Sequence, residues 1–327
     1  MAAQTIDRML GIKFPIIMAP MFLISNSRMV IAALKEGITA AFPALNYRTD
    51  GELRAAIAEI RAVSDAPFGV NLIVNRSNLK YQAQLETLLE LRVPYIITSL
   101  GSPKETIERC RPLGIRVFCD VTNIEYAQKV VDAGADALVA VNAQAGGHAG
   151  YIAPEDLVRQ LTERFPDVPV ISAGGIGTGS QVAEALSWGA AGVQVGTIFI
   201  ASEEAPVSQD YKQALVTYDA SDIVRTTRLS GSPLTVINTP YVQRMGTEAS
   251  WWERLLLKNK RLKKWTKMFI ALRGMRKVEA STFGSPTYKT VWCAGPAIEY
   301  VRAVRPLAVI IRELTDGYEA ATRTTAT

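Results

Sequence analysis

Histidine and cysteine are scarce in this chain of 327 residues, which has a single histidine, His148, and three cysteines. A zinc site that uses imidazole ligands needs more than one histidine, so the sequence excludes that class of site. Cys110, Cys119 and Cys293 are widely spaced and form neither a CxxC metal pair nor a disulfide framework. We therefore predict that all three are reduced and mostly fill space in the packed protein.

Long apolar runs are absent as well. No run reaches the roughly 18 residues needed to cross a bilayer, and residues 1–8 lack the apolar core of a signal peptide. These absences predict a cytoplasmic protein with no transmembrane segment. The formal net charge is +5, but the excess of cations lies in one segment and the rest of the chain is close to neutral. Nucleic acid is therefore not a predicted partner.

The chain repeats one unit, in which a short apolar strand is followed by a loop, an amphipathic helix and then glycine or proline. Two helix starts have capping-box spacing, at Thr49 with Glu52 and at Thr122 with Glu125. Three helical runs end in glycine, at Gly37, Gly134 and Gly189. Eight strands are predicted, at Phe14–Met18, Ile38–Phe42, Phe68–Val74, Tyr95–Thr98, Ile115–Cys119, Ala137–Val141, Val168–Ser172 and Gly192–Val195.

Eight strands that alternate with helices close most naturally into an α/β fold, the (β/α)8 TIM barrel. With 327 residues, of which 48% are hydrophobic, the chain is long enough and apolar enough to bury one large core. A doubly wound open sheet is the alternative fold. That fold normally has a GxGxxG fingerprint after its first strand, where this chain reads Met18-Ala19-Pro20-Met21 instead.

The only histidine lies in the segment Ala145-Gly146-Gly147-His148-Ala149-Gly150, directly after the predicted strand 137–141. The carboxyl ends of parallel strands are where such sheets carry out chemistry. The sequence therefore predicts that His148 is a functional side chain. An imidazole that is merely hydrogen-bonded in a loop is the alternative.

Glycine clusters follow the last two predicted strands, in the runs 172–179 and 194–197. Bare backbone N–H groups near the start of a helix stabilise a phosphate through hydrogen bonds and the helix dipole. Their pairing after consecutive late strands predicts the phosphate site that is usual in such barrels. A plain tight turn would explain either loop alone.

Asn71 lies in an otherwise apolar strand, so its amide must find hydrogen-bond partners when it is buried. A ligand carbonyl or imide edge would satisfy the amide. A structural hydrogen bond to an adjacent loop is the alternative.

Six motifs spread over nearly the whole chain resemble one protein family. They are Pro15-Ile16-Ile17-Met18-Ala19-Pro20-Met21, Gly69-Val70-Asn71-Leu72, Ala145-Gly146-Gly147-His148, Ala173-Gly174-Gly175-Ile176, Gln194-Val195-Gly196-Thr197 and Ala294-Gly295-Pro296. The set resembles the FMN-dependent nitronate monooxygenases, formerly called 2-nitropropane dioxygenases. Their barrel is shared with flavin-dependent enoyl-acyl-carrier-protein reductases and some NAD(P)H:quinone reductases.

The resemblance implies that FMN is the cofactor and that His148 is the catalytic base beside the flavin. It implies that Ala19, Pro20 and Met21 line the flavin ring through backbone groups and that Asn71 approaches the ring edge or the ribityl chain. The implied cofactor-binding positions after the later strands, toward the ribityl phosphate, are Gly146, Gly147, Ala173, Gly174, Gly175, Gln194, Val195, Gly196 and Thr197.

The reaction implied is the oxidation of alkyl nitronates with O2 to a carbonyl compound and nitrite. Two alternatives on the same flavin barrel use NAD(P)H: an enoyl-acyl-carrier-protein reductase, whose partner is acyl carrier protein, and a quinone reductase. A third alternative binds flavin or phosphate without redox turnover. Asp120 stands near a position where quinone reductases often have lysine, and a carboxylate near the flavin would disfavour its anionic reduced form. We expect Asp120 instead to be a helix cap or a solvated loop acid.

Residues 246–277 differ in character from the rest of the chain. Ten lysine and arginine residues lie between Arg254 and Lys277, and large apolar residues recur there at near-helical spacing. Such a segment is typical of a lid, a dimer contact, or a surface for an acidic partner or a membrane. We predict that residues 1–220 and 290–327 form the FMN-binding TIM barrel and that residues 221–289 form a small basic helical insertion, either a lid or a partner-contact subdomain.

Overall fold

A computed structural model of the chain describes residues 4–75, 77–227, 233–247 and 291–325. Its described strands, in chain order, are β1 (Ile16–Met18), β2 (Thr39–Pro43), β3 (Gly69–Ile73), β4 (Tyr95–Ser99), β5 (Arg116–Val121), β6 (Ala137–Val141), β7 (Gly147–His148), β8 (Val170–Ala173), β9 (Gly192–Val195), β10 (Ile223–Thr226) and β11 (Leu234–Ile237). Eight of them, all except β7, β10 and β11, form a closed parallel barrel in which β9 pairs with β1. The predicted TIM barrel is therefore confirmed, and the open sheet is excluded.

Helices alternate with the barrel strands. In the described residues they are α1 (Ile6–Leu10), α2 (Ser27–Lys35), α3 (Asp50–Arg61), α4 (Tyr81–Glu90), α5 (Lys104–Cys110), α6 (Ile124–Ala133), α7 (Pro154–Arg164), α8 (Gly179–Ser187), α9 (Thr197–Ile200), α10 (Gln209–Thr217), α11 (Pro240–Met245) and α12 (Leu307–Thr325). None of the helices in the described ranges has both the length and the hydrophobicity needed to cross a membrane.

The predicted start of α3 is confirmed, and the predicted start of α6 is wrong. Thr49 and Glu52 form a reciprocal capping box at the start of α3. At α6, however, the cap is Asn123, whose side-chain oxygen accepts a hydrogen bond from the backbone N–H of Tyr126 at 2.8 Å. Asparagine caps a helix at least as well as threonine, so the helix begins one residue later than the Thr122 spacing predicts.

The barrel interior is a packed core that is closed at its amino end. Ile6 of α1 belongs to the same buried cluster as the interior side chains of the strands, and its N–H donates to the carbonyl of Ala191 at 2.9 Å. Higher up, the rings of Tyr95 and Phe118 stack with centroids 4.9 Å apart. A Cβ on Gly69 would lie 2.1 Å from the Tyr95 ring, so only glycine fits beside it. Because α1 closes the amino end of the barrel, a ligand-binding site is expected at the opposite end, where the strands have their carboxyl ends.

The three cysteines are free, as predicted. Cys110 and Cys119 are buried in the core between the strands and the helices. Burial raises the pKa of each of the three thiols to about 12, which keeps them protonated at neutral pH.

A second sheet at the carboxyl face combines β7, from the loop after β6, with the antiparallel pair β10 and β11. In this sheet His148 pairs with Leu234 and Gly147 with Thr235. Part of the predicted insertion 221–289 thus contributes strands to the barrel mouth. The basic segment 251–277 lies outside the described residues, and the predicted domain division stays a prediction.

Candidate active site at the carboxyl end of the barrel

The loop after β1 is tied to the end of β9. Ala19 donates its N–H to the carbonyl of Val195 at 2.8 Å, and a Cβ on Gly196 would lie 3.5 Å from the sulfur of Met21. Ala19, Pro20 and Met21 are all half-buried. The structure therefore brings the predicted positions of the first and last barrel strands together.

The two predicted residues of β9 face opposite ways. Gln194 is in register with Ile17 and Ala173, both of which belong to the interior core. Its side-chain oxygen Oε1 is buried and accepts no hydrogen bond in the described part of the chain. Val195 packs its side chain into the outer core instead and is 1% exposed, so it can offer a ligand only backbone atoms.

Asn142, which the sequence analysis missed, connects the loop after β6 to the loop after β8. Its amide nitrogen donates to the carbonyl of Gly174 at 3.0 Å, and its side-chain oxygen accepts from the N–H of Gln144 at 2.8 Å. Its backbone carbonyl also accepts from the N–H groups of Ala145 and Gly150. An asparagine directly after an apolar strand was the signal available in the sequence, because its amide must find hydrogen-bond partners when it is buried, as Asn142 is.

The glycines of these loops allow the loops to approach one another. A Cβ on Gly146 would lie 2.8 Å from the backbone nitrogen of Gly295, and one on Gly174 would lie 2.4 Å from the nitrogen of Ala145. Gly147 meets nothing within 4 Å but has φ +73°, a conformation that favours glycine. The first role of Gly146 and Gly174 is therefore to pack the loops together, and only the surface that results can serve a ligand.

Thr197 joins the β9 end to the late Gly295 motif. Its hydroxyl oxygen accepts a hydrogen bond from the N–H of Gly295 at 3.0 Å, which leaves the hydroxyl proton for a second partner. Thr197 also begins α9, with Gly196 as its N-cap residue. A short extra helix after the last barrel strand is a usual part of a barrel phosphate site.

His148 lies at the barrel mouth, in the β6–α7 connection, and is exposed. Its strand β7 is held by β11, so the imidazole is attached to a paired backbone and not to a free loop. The protein atoms around it lower the pKa of His148 below its usual value, because the charged imidazolium loses hydration. The lowered pKa favours the neutral imidazole, which is the form that can accept a proton, although the exposure of the side chain limits this loss of hydration.

Asn71 has two hydrogen-bond partners on the neighbouring strand β4. Its amide nitrogen donates to the carbonyl of Ile97 at 3.1 Å and to the hydroxyl of Ser99 at 2.6 Å. Ser99 in turn lies 2.5 Å from Oδ2 of Asp120. The amide nitrogen thus has structural partners, but they lie on β4 and not on an adjacent loop, and the contact of Asn71 with a ligand stays a prediction.

The expectation that Asp120 is a helix cap or a solvated loop acid is wrong. Asp120 lies within β5 and pairs in register with Val139, which faces the barrel interior. Its Oδ1 atom is buried and has no hydrogen-bond partner among the described residues. Burial raises the pKa of Asp120 to about 6, and the hydrogen bond from Ser99 opposes that rise.

The predicted residues thus fall into separate contact groups at one end of the barrel. The β1 and β9 positions contact one another, and Gly146, Gly174 and Thr197 are linked through Ala145 and Gly295. Asn71 contacts Ser99 instead, and His148 pairs with Leu234 on the second sheet.

A closed barrel of eight parallel strands that alternate with helices defines the TIM-barrel class of folds. The sequence profile described as nitronate monooxygenase matches residues 4–80 and 74–317. The chain belongs to the nitronate monooxygenase family and is a flavin-dependent oxidoreductase, as the sequence motifs predicted.

Individual relatives carry different activities in their names. The chain is 32% identical to a nitronate monooxygenase of Pseudomonas aeruginosa, over 68% of this chain and 76% of that protein. It is 30% identical to a (3aS,4S,5R,7aS)-5-hydroxy-7a-methyl-1-oxo-octahydro-1H-indene-4-carboxyl-CoA dehydrogenase of Mycobacterium tuberculosis, over 73% of this chain and 67% of that protein. Its fold is similar to that of FabK from Thermotoga maritima, with a TM-score of 0.83, 26% identity and 99% of both chains covered.

Proposed function

We propose that the protein is an FMN-dependent nitronate monooxygenase, which oxidises alkyl nitronates with O2 to a carbonyl compound and nitrite. The observation that carries the proposal is the position of His148 on a paired strand at the mouth of the barrel. The named Pseudomonas aeruginosa relative supports the same reaction.

The residues at the mouth fit a flavin nucleotide. Gln194 has a buried side-chain oxygen without a partner in the described ranges, and a ribityl hydroxyl or an imide N–H is a donor of the kind it needs. The carbonyl oxygen of Asn71 can accept from a ligand in the same way, since both of its amide protons are already donated. The hydroxyl proton of Thr197 and the backbone of Gly196 suit a phosphate.

The protein supplies position and proton transfer. His148 would take the acidic proton from the α-carbon of a neutral nitroalkane, and the resulting imidazolium would stabilise the nitronate anion. Ala19, Pro20 and Met21 would form one wall of the cleft through their backbone. When bound, FMN supplies the redox chemistry, accepting electrons from the substrate and passing them to dioxygen.

A second candidate is an NAD(P)H-dependent reductase that acts on a thioester, such as an enoyl-acyl-carrier-protein reductase. The name of the Mycobacterium tuberculosis relative, a carboxyl-CoA dehydrogenase, supports the thioester as substrate class but not the direction of the redox reaction. A quinone as substrate stays a prediction. Acyl carrier protein as a partner and a homodimer also stay predictions, since the basic segment 251–277, which would make such a contact, lies outside the described residues.

An anaerobic stopped-flow experiment separates the candidates. The purified protein is mixed with a preformed nitronate and, separately, with NADPH or NADH, and the visible absorbance of the flavin is followed. We expect the nitronate to bleach the flavin within the time of one turnover and the pyridine nucleotides to leave it oxidised. Rapid bleaching by a pyridine nucleotide together with no response to the nitronate would assign the protein to the reductases.

A further inference from the structure

Three polar side chains form a continuous hydrogen-bonded chain across neighbouring strands of the barrel. Asn71 on β3 lies 2.6 Å from Ser99 on β4, and Ser99 lies 2.5 Å from Asp120 on β5. Asn71 is only 7% exposed, so its amide is held in the interior near the mouth. The sequence singles out Asn71 and Asp120 separately; Ser99, and the hydrogen bonds that connect the three residues, come from the structure.

The chemistry of the three groups fixes the direction of these hydrogen bonds. A serine hydroxyl has one proton, and an ionised carboxylate can only accept, so Ser99 donates to Asp120. Ser99 can then only accept from Asn71, which must turn its amino group toward it. The other amide proton goes to the carbonyl of Ile97 at 3.1 Å. Both amide protons are thus donated to protein atoms inside the barrel, and only the carbonyl oxygen of Asn71 can accept a hydrogen bond from a ligand.

The burial of the Asp120 carboxylate in the barrel interior is energetically unfavourable. Its Oδ1 atom is buried without a hydrogen-bond partner, and no ion pair to it occurs among the described residues. It does not cap α6, because Asn123 does so. An isolated buried carboxylate is unfavourable unless its environment stabilises it, so local packing and capping do not account for Asp120.

We propose that Asp120 is a positioning residue, which acts through Ser99 to hold the Asn71 amide with its oxygen toward the ligand. The inference rests on the proposed function, since the ligand is the flavin. The imide edge of a flavin carries a single N–H between two carbonyls. The amide oxygen of Asn71 can accept a hydrogen bond from that N–H, whereas its amino group could only donate to the carbonyls. The orientation of the Asn71 amide therefore determines whether a flavin with an imide N–H binds more tightly than one without it.

The test compares the affinity of the apoprotein for FMN with its affinity for 3-methyl-FMN, which lacks the imide proton. Fluorescence quenching gives both dissociation constants. We expect the parent protein to bind FMN at least about tenfold more tightly than the methylated analogue, which is the ratio that one lost hydrogen bond gives. Ser99→Ala and Asp120→Asn should bring this ratio close to one, as Asn71→Ala should.

Two further variants separate positioning from general damage. Ser99→Thr keeps the hydroxyl and should retain the preference for FMN. Thr98→Val removes a buried hydroxyl from the opposite face of the same strand, where it lies 3.3 Å from the sulfur of Cys119, and should also retain it. A thermal melt of each apoprotein shows whether the variant folds.

Three results would overturn the positioning role: an unchanged preference in both Ser99→Ala and Asp120→Asn, equal binding of the two flavins by the parent, or loss of the preference in Thr98→Val as well. A parent protein that binds neither flavin would instead overturn the proposed function. The two failures are therefore distinguishable.

Discussion

Replacing His148 by alanine is expected to lower kcat/KM for a neutral nitroalkane by about 10²- to 10⁴-fold, the usual contribution of a positioned general base. The same change should lower kcat/KM for the preformed nitronate by less than about tenfold, since that substrate has already lost its proton. The chain has no second histidine that could take over the proton transfer. The direction of the pKa shift supports the assignment, because a lowered pKa favours the neutral imidazole that accepts a proton.

Steady-state assays with both substrates at several pH values measure the effect. The nitronate is an internal control, because flavin binding and reoxidation by dioxygen are common to both assays. The visible absorbance of the purified variant shows whether the flavin is retained. Equal losses on the two substrates, or no loss on either, would show that His148 is not the base.

The second large effect is expected at Gly174, where the β8 loop meets the β6 loop. Gly174 has φ +120°, and a Cβ there would lie 2.4 Å from the nitrogen of Ala145 and 2.5 Å from the side-chain oxygen of Asn142. Backbone atoms cannot move aside as a flexible side chain can. We expect Gly174→Ala to lower the free energy of unfolding by about 1–3 kcal/mol, the usual cost of such backbone strain, and to weaken FMN binding.

Gly51→Ala is the matched control for this change. Gly51 lies in the first turn of α3, and a Cβ there would meet nothing within 4 Å. Alanine is favoured over glycine in a helix by up to about 1 kcal/mol, so this variant should be slightly more stable than the parent. Urea unfolding compares the two variants. Gly174→Ala with the stability and FMN affinity of Gly51→Ala would show that the two loops do not depend on glycine there.

The barrel fold could be predicted from the sequence because its strands are short, buried and separated by helices with clear boundary signals. The predicted bounds of Ala137–Val141 and Gly192–Val195 agree with the structure, and the other six strands differ only at their ends. Periodicity suffices for such strands, because a buried parallel strand is apolar throughout its length.

The second sheet could not be predicted in this way. Its strand β7 has two residues, Gly147 and His148, and exists only because Leu234 and Thr235 lie beside it. Because β7 and β11 are far apart in the sequence, their pairing produces no local sequence pattern from which β7 could be predicted. The surroundings of Asp120 were missed for a similar reason, since its hydrogen bond to Ser99, and that of Ser99 to Asn71, join residues from three different strands.

The central claim is that the mouth of this barrel binds FMN, and titration of the apoprotein with FMN tests it most directly. The account predicts saturable quenching of flavin fluorescence with one FMN bound per chain, and no binding of comparable strength when riboflavin, which lacks the phosphate, is used. An apoprotein that leaves the fluorescence of FMN unchanged would contradict it.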